Sequence, residues 1–279
     1  MIGITWMGDL PPPSRPRSTQ KSFMNNYLVR MENISKHFGG KVALEQAHLE
    51  LSQGEVLGLV GDNGAGKSTM LKILAGVAAR DGGDIFIGGQ KVSINSPRQS
   101  RSLGIEMVYQ DLSLCGSLTV WENIYLGRYI VRPLRILDKN RMSQKALQFL
   151  QNLGIDLYNI NEPVRNLSGG QQQAIAICRC LLFQPEVILL DEPTASMALV
   201  EQERVLKLII DLKDQGRSLV MVTHNLQELF RVADRALVLK GGRNVWCGPL
   251  KRLKPDDLAQ MMFVGRGGPD VGGPLSYES

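Results

Sequence analysis

The chain reads as an α/β protein with a parallel sheet flanked by helices, and three observations carry that reading. The apolar run Val56-Leu57-Gly58-Leu59-Val60 delivers the chain into a glycine-rich loop at residues 61–69, and a helical segment continues from it. A strand, a glycine-rich turn and a helix in that order form a unit of parallel sheets. The segment Glu186–Leu190 is apolar without alternation from Val187 onward, as expected of a strand buried on both faces. Beyond it, helical and extended patterns alternate: helix over Leu199–Asp214 with Gly216 as terminator, strand over Ser218–Val222, helix over Leu226–Val232, strand over Ala236–Leu239. That alternation is what a parallel core requires.

The remaining elements follow in order. Residues 1–26 carry Pro11-Pro12-Pro13 and a Ser/Arg/Pro stretch without the basic start and apolar stretch of a signal peptide, and are expected to be a disordered extension. Met24 and Met31 are both candidate starts. Strand character over Tyr27–Ile34, Ala47–Leu51 and Glu55–Val60, with a turn at Ser52-Gln53-Gly54, predicts an N-terminal antiparallel β subdomain. A helix over Met70–Val77 continues out of the glycine-rich loop, Gly82-Gly83 closes it, and a strand at Asp84–Ile87 leads to a turn at Gly88-Gly89. Ser96-Pro97 starts a further helix that ends near Gly104, ahead of a strand at Ile105–Tyr109. From Leu118 to Leu153 the spacing turns helical, with Met142, Ala146, Leu150 and Leu153 on one face. A mainly helical insertion is therefore expected over about 110–182, closed by a helix at Gln171–Leu182, inside a domain spanning 27–266. The glycine- and proline-rich residues 267–279 read as a flexible tail.

At 279 residues the chain is long enough for one large α/β domain with a smaller subdomain, or for two modest domains. The net charge of +5 is mild. Its basic residues, at Arg15 and Arg17, Arg128 to Arg141 and Lys251 to Lys254, read as solvated surface rather than a nucleic-acid arm. Cys115, Cys178, Cys180 and Cys247 show neither disulfide nor zinc spacing and read as buried reduced thiols, which suits a reducing compartment. No run approaches the roughly 18 apolar residues that span a bilayer.

Residues 61–69 read Gly-Asp-Asn-Gly-Ala-Gly-Lys-Ser-Thr. Glycines let a tight loop turn several backbone N–H groups toward a nucleotide's phosphates, while Lys67 adds a point charge, Ser68 a hydroxyl for Mg²⁺ and the following helix a favourable dipole end. Gly61, Asn63, Gly64, Ala65, Gly66, Lys67, Ser68 and Thr69 are the candidate phosphate contacts. The apolar strand at 186–190 ends in Asp191-Glu192-Pro193, at the carboxyl edge where ligands bind in such sheets. Asp191 is placed to hold Mg²⁺ and Glu192 to polarise an attacking water. Leu167-Ser168-Gly169-Gly170-Gln171 opens another helix, with Ser168 as its cap and glycines that let an anion approach.

Taken together, the phosphate loop, Leu-Ser-Gly-Gly-Gln and Leu-Leu-Asp-Glu-Pro-Thr resemble, in order and separation, the nucleotide-binding domain of ATP-binding cassette proteins, from about Tyr27 to Arg266. The resemblance implies a P-loop NTPase core whose helical insertion carries the signature motif, and an ATPase using ATP and Mg²⁺. It implies that Gln110 is the Q-loop glutamine reaching Mg²⁺ or water, that His224 is the switch histidine contacting the γ-phosphate and Glu192, and that Phe38 lies against adenine. Alone, His224 reads as structural and Phe38 as core. It implies also that Ser168, Gly169, Gly170 and Gln171 act in trans, closing on the γ-phosphate held by Lys67 of a second copy in a head-to-tail homodimer.

One departure stands out: Ala198 occupies the place of the aspartate that usually ends the loop after Glu-Pro-Thr, which removes a carboxylate from the expected interface. Hydrolysis is still expected, since Lys67, Gln110, Asp191, Glu192 and His224 are present. The spellings Met107–Leu114, Leu118–Arg128 and Met262–Arg266 resemble importers of ribose, xylose and galactose type, in single-cassette form. That resemblance implies a subunit on the cytoplasmic face of the membrane, bound to a separate permease and served by an extracytoplasmic solute-binding protein, with no nucleic acid. An exporter ATPase and a soluble non-transport cassette are the alternatives.

Overall fold

The structure is a computed structural model, and it describes residues 27–264 apart from 153, 154, 156, 158, 183 and 196. The chain divides into two compact units. The larger comprises, among described residues, 27–107, 185–193 and 209–264; the smaller comprises 108–184 and 194–208. The expected N-terminal extension, the C-terminal tail and Leu153 lie outside the described residues.

The larger unit holds two sheets. Strands β1 (Tyr27–Phe38), β2 (Lys41–Ser52), β4 (Gly82–Ile87) and β5 (Gln90–Val92) pair antiparallel in the order β2-β1-β4-β5. The β1–β2 hairpin is longer than its sequence pattern suggests, because register shifts near Asn33 break the alternation. The second sheet has the order β10-β9-β3-β8-β7-β6, from β3 (Val56–Gly61), β6 (Ile105–Val108), β7 (Val187–Asp191), β8 (Ser218–Val222), β9 (Arg235–Lys240) and β10 (Arg243–Pro249). Strands β9, β3, β8 and β7 run parallel and β10 antiparallel at the edge. Every residue of β3, β7 and β8 is buried, which explains their unbroken apolar sequences.

Helix α1 (Lys67–Leu74) leaves β3 through the glycine-rich loop; it ends before Gly76 (φ +70°), and Gly82-Gly83 belong to β4 rather than closing the helix. Helix α2 (Pro97–Ser102) is capped by Ser96, whose hydroxyl accepts from Gln99 N. Helices α7 (Leu226–Val232) and α8 (Pro255–Val264) cover one face of β3 and β9 through Val60, Leu229, Ala236, Val238, Leu258 and Met261.

In the smaller unit, the segment whose spacing turns helical holds two helices, α3 (Val120–Ile124) and α4 (Lys139–Asn152). An exposed excursion separates them, where Leu134 (φ +67°) and Arg135 (φ +58°) turn the chain back so that Val131 bridges Leu137. A Thr119/Glu122 capping box starts α3. Asn123 is fully buried and holds the preceding turn: its Oδ1 accepts from Cys115 N, and its Nδ2 donates to the carbonyls of Cys115, Leu118 and Thr119. Met142, Ala146 and Leu150 are fully buried, as their spacing predicts. Both helices pack on α5 (Gly169–Leu181). Helix α6 (Leu199–Asp214) begins in this unit and ends in the larger one. Cys178 and Cys180 are buried in α5, but Cys115 is exposed, contrary to the expectation of four buried thiols.

Candidate nucleotide site

The larger unit gathers the phosphate loop and the acidic strand end. Gly61 (φ +148°) and Gly66 (φ +102°) need their glycines twice over, for backbone conformation and for space. A Cβ on Gly61 would lie 2.0 Å from the Leu239 carbonyl oxygen, and one on Gly66 2.5 Å from that of Ala43. Asn63 and Gly64 are exposed at the loop's crest, whereas Ala65 is buried beneath it. Lys67 Nζ donates to the carbonyls of Gly61 (2.7 Å) and Asp62 (2.9 Å), so the ammonium is held across the loop it serves. Burial pulls the Lys67 ammonium below its ordinary pKa, opposed by the charges of Glu192, Asp191 and Asp62.

Ser68, at the start of α1, donates its hydroxyl to Asp191 Oδ1 at 3.0 Å. Burial raises the Asp191 carboxyl, the Ser68 hydrogen bond opposes it, and the charge of Glu192 raises it further. One hydroxyl and one carboxylate at that spacing fit a hard cation such as Mg²⁺, which takes oxygen ligands and is completed by substrate phosphates and water. Among the described residues no cluster of three or more His, Cys, Asp or Glu could hold a metal ion.

Glu192 adopts φ +51°, a conformation that costs a non-glycine residue roughly 1–2 kcal/mol. Its N–H donates to the Val222 carbonyl at 2.9 Å, which pins the backbone. Its carboxylate lies 3.5 Å from His224 Nδ1, at the end of the neighbouring strand β8. The His224 side chain is 68% exposed, so the packed structural histidine suggested by its sequence alone is not what the fold builds. Phe38 is 53% exposed, not core, with the Lys36 ammonium 5.3 Å from its ring centroid. Lys36 in turn bonds Asp81 at 2.7 Å, which also accepts from His37 N. These contacts hold Asp81 near a pKa of about 2, the Lys36 hydrogen bond contributing most.

The smaller unit carries the rest. Ser168 and Gln171 form a capping box at the start of α5: Gln171 N donates to Ser168 Oγ, and Ser168 N donates to Gln171 Oε1. Ser168 and Gly169 are exposed and Gly170 is buried. Gln110 is exposed, and the chain just beyond it is braced by Arg179, which donates to the Leu112 and Ser113 carbonyls. Ala198 is exposed ahead of α6, and its carbonyl accepts from Glu201 N and Gln202 N.

Two contacts escape sequence reasoning. Glu201 Oε1 accepts from Ser168 Oγ at 2.7 Å, and its Oε2 accepts from Gly170 N at 3.2 Å. Lys36 is the other, since its approach to Phe38 follows from strand geometry. The one signal for Glu201 is its place three residues into a helix, where a carboxylate favours free N–H groups.

Comparison with known proteins agrees with this geometry. The family model described as ABC transporter matches residues 44–195. The xylose/arabinose import ATP-binding protein XylG of Sulfolobus acidocaldarius is 40% identical over 235 residues, covering 84% of this chain and 93% of that protein. The ribose import ATP-binding protein RbsA of Caldanaerobacter subterraneus subsp. tengcongensis is 40% identical over 239 residues, but the chain spans only 48% of its length. Among solved structures, the dimeric post-hydrolysis state of the cassette MJ0796 bound to ADP and Pi superposes with a TM-score of 0.69 at 28% identity, over 81% of this chain and all of that one. With the family model across more than half the chain and a relative matched nearly end to end, this protein belongs to the ABC transporter family.

Proposed function

We propose that the chain is the ATP-binding and ATP-hydrolysing subunit of an importer for a sugar or related small solute, acting on a separate membrane permease. The observation that carries this reading is the convergence of Lys67, Ser68, Asp191, Glu192 and His224 at the carboxyl end of β3, β7 and β8. The sugar-import names of the 40%-identical relatives support the solute class. The import names of those relatives support a separate permease as the path through the bilayer, and no helix among the described residues is long and apolar enough to cross a membrane.

In the proposed mechanism the N–H groups of residues 61–69 cradle the phosphates, and Lys67 shifts its ammonium from loop carbonyls to the outer phosphates. Ser68 and Asp191 would hold Mg²⁺, which would supply charge neutralisation at the transferring phosphoryl group, and the family resemblance assigns Gln110 a role toward the same ion or its water. Glu192 accepts the proton of the attacking water, and His224 orients Glu192 and the γ-phosphate. Phe38 stacks on adenine. Ser168, Gly169, Gly170 and Gln171 complete the site of a second copy, a reading supported by dimeric cassettes among the related structures. An extracytoplasmic binding protein would deliver the solute.

The test is purification with associated membrane proteins, reconstitution, and ATPase assay with xylose, ribose and fructose in turn. A polytopic permease that co-purifies, with sugar-stimulated hydrolysis abolished by Glu192→Gln, is the expected result. Absence of a permease, or indifference to every sugar, would overturn the importer reading.

A further inference from the structure

The signature helix α5 already has an anion at its start, supplied by the chain itself. Glu201 spans the Ser168 hydroxyl (2.7 Å) and the Gly170 N–H (3.2 Å) with its two carboxylate oxygens. Its side chain also lies across Gly170: a Cβ there would fall 2.5 Å from Glu201 Cδ and 2.7 Å from both Cβ and Cγ. Gly170 has an ordinary helical conformation, so its lack of a side chain answers to space, and Glu201 fills that space. The Ser168 hydroxyl is committed on both sides, since it also accepts from Gln171 N.

We infer that Glu201 is an intramolecular competitor for the anion that the signature loop receives from a second copy. This inference rests on the composite-site reading above. Ser168 Oγ and Gly170 N are donors, and the one proton on each cannot serve a carboxylate and a phosphate oxygen together. Like charge adds to the conflict, because a carboxylate in place repels an incoming γ-phosphate. Glu201 therefore has to swing clear before two copies close, and its hold on the loop raises the ATP concentration needed for closure. Between closures the same carboxylate keeps the Ser168 hydroxyl and the first turn of α5 in the arrangement that binds an anion.

The experiment titrates Mg-ATP into the full chain carrying Glu192→Gln, with or without Glu201→Gln, and reads dimer fraction by light scattering. Gln retains the size of Glu and an acceptor for Ser168, so removal of one charge is the main change. The ATP concentration for half-maximal dimer should fall by about threefold to tenfold, the range for loss of one partly exposed charge-assisted contact. Glu201→Asp, which retains charge but shortens the reach to Ser168, should give a smaller shift in the same direction. Nucleotide-free thermal unfolding checks that both variants fold. A merely structural role predicts a dimer weaker than or equal to the parent's, and that result overturns the inference while leaving the composite site intact. Tight binding of a fluorescent ATP analogue with no dimer in any variant overturns both.

Discussion

Gly58 in the centre of β3 gives the most searching test of the packing that positions the phosphate loop. It pairs with Met221 on one side and Ala236 on the other, and a Cβ there would lie 2.2 Å from Leu229 Cδ1 and 3.1 Å from its Cγ. Carbon atoms pack best at about 3.5–4.0 Å, so Gly58→Ala forces either a retreat of α7 or a Leu229 rotamer change within a fully buried cluster. Over-packing of this kind costs about 1–3 kcal/mol. At roughly 2–4 °C per kcal/mol for a chain of this size, the melting temperature should fall by several degrees. Leu229→Ala alone opens a cavity at a cost of about 2–5 kcal/mol. In the double variant the new methyl occupies part of that cavity, so the two losses should not add, and a favourable coupling of about 1–2 kcal/mol is expected. Urea unfolding followed by tryptophan fluorescence measures it, and Trp246, packed against this cluster, is a natural reporter. Additivity within about 0.5 kcal/mol would refute the claim that Gly58 and Leu229 contend for the same space.

Three further outcomes follow from the site and its surroundings. Because burial raises the Asp191 carboxyl in the folded chain, its ionised form is a cost near neutrality that vanishes as pH falls through the folded pKa. Asp191→Asn should therefore raise the melting temperature of the nucleotide-free chain at pH 7, with the gain fading in acid, while ATPase activity is lost. Ala198→Asp should stabilise α6 by about 0.5–1 kcal/mol as an N-cap, measurable by thermal unfolding, because the Ala198 carbonyl already accepts the first helical bonds and its methyl caps nothing. Iodoacetamide should label exposed Cys115 in the native chain, with Cys178 and Cys180 labelled only on unfolding, as mass spectrometry of tryptic peptides would show.

The legible parts of the molecule are those whose physics is local. Strands β7 and β8 are buried on both faces, so their residues have to be apolar without interruption. The loop at 61–69 declares itself because each positive φ demands glycine. Strand β10 escapes the pattern because Arg243-Asn244-Val245-Trp246-Cys247-Gly248-Pro249 lies at a sheet edge, where alternation is weak and glycine and proline are tolerated. The stretch between α3 and α4 reads as helix because apolar residues recur there, yet Val131, Leu134 and Ile136 are exposed and set no buried face. Glu201 looks like one more solvated helix charge, since its partner Ser168 is 33 residues away and only tertiary structure joins them.

The phosphate loop has a support of another kind. Gly242, in the turn between β9 and β10, donates its N–H to the Ala65 carbonyl, and its own carbonyl accepts from Glu45 N in β2. Its φ is +80°, and a Cβ there would lie 2.9 Å from the Ala43 carbonyl oxygen, which leaves room for glycine alone. A loop made early in synthesis is thus braced by a residue that leaves the ribosome about 180 positions later. On a growing chain the bracing of this loop is complete only once nearly all of the larger unit has emerged, so a ligand that binds the braced loop stabilises the completed unit.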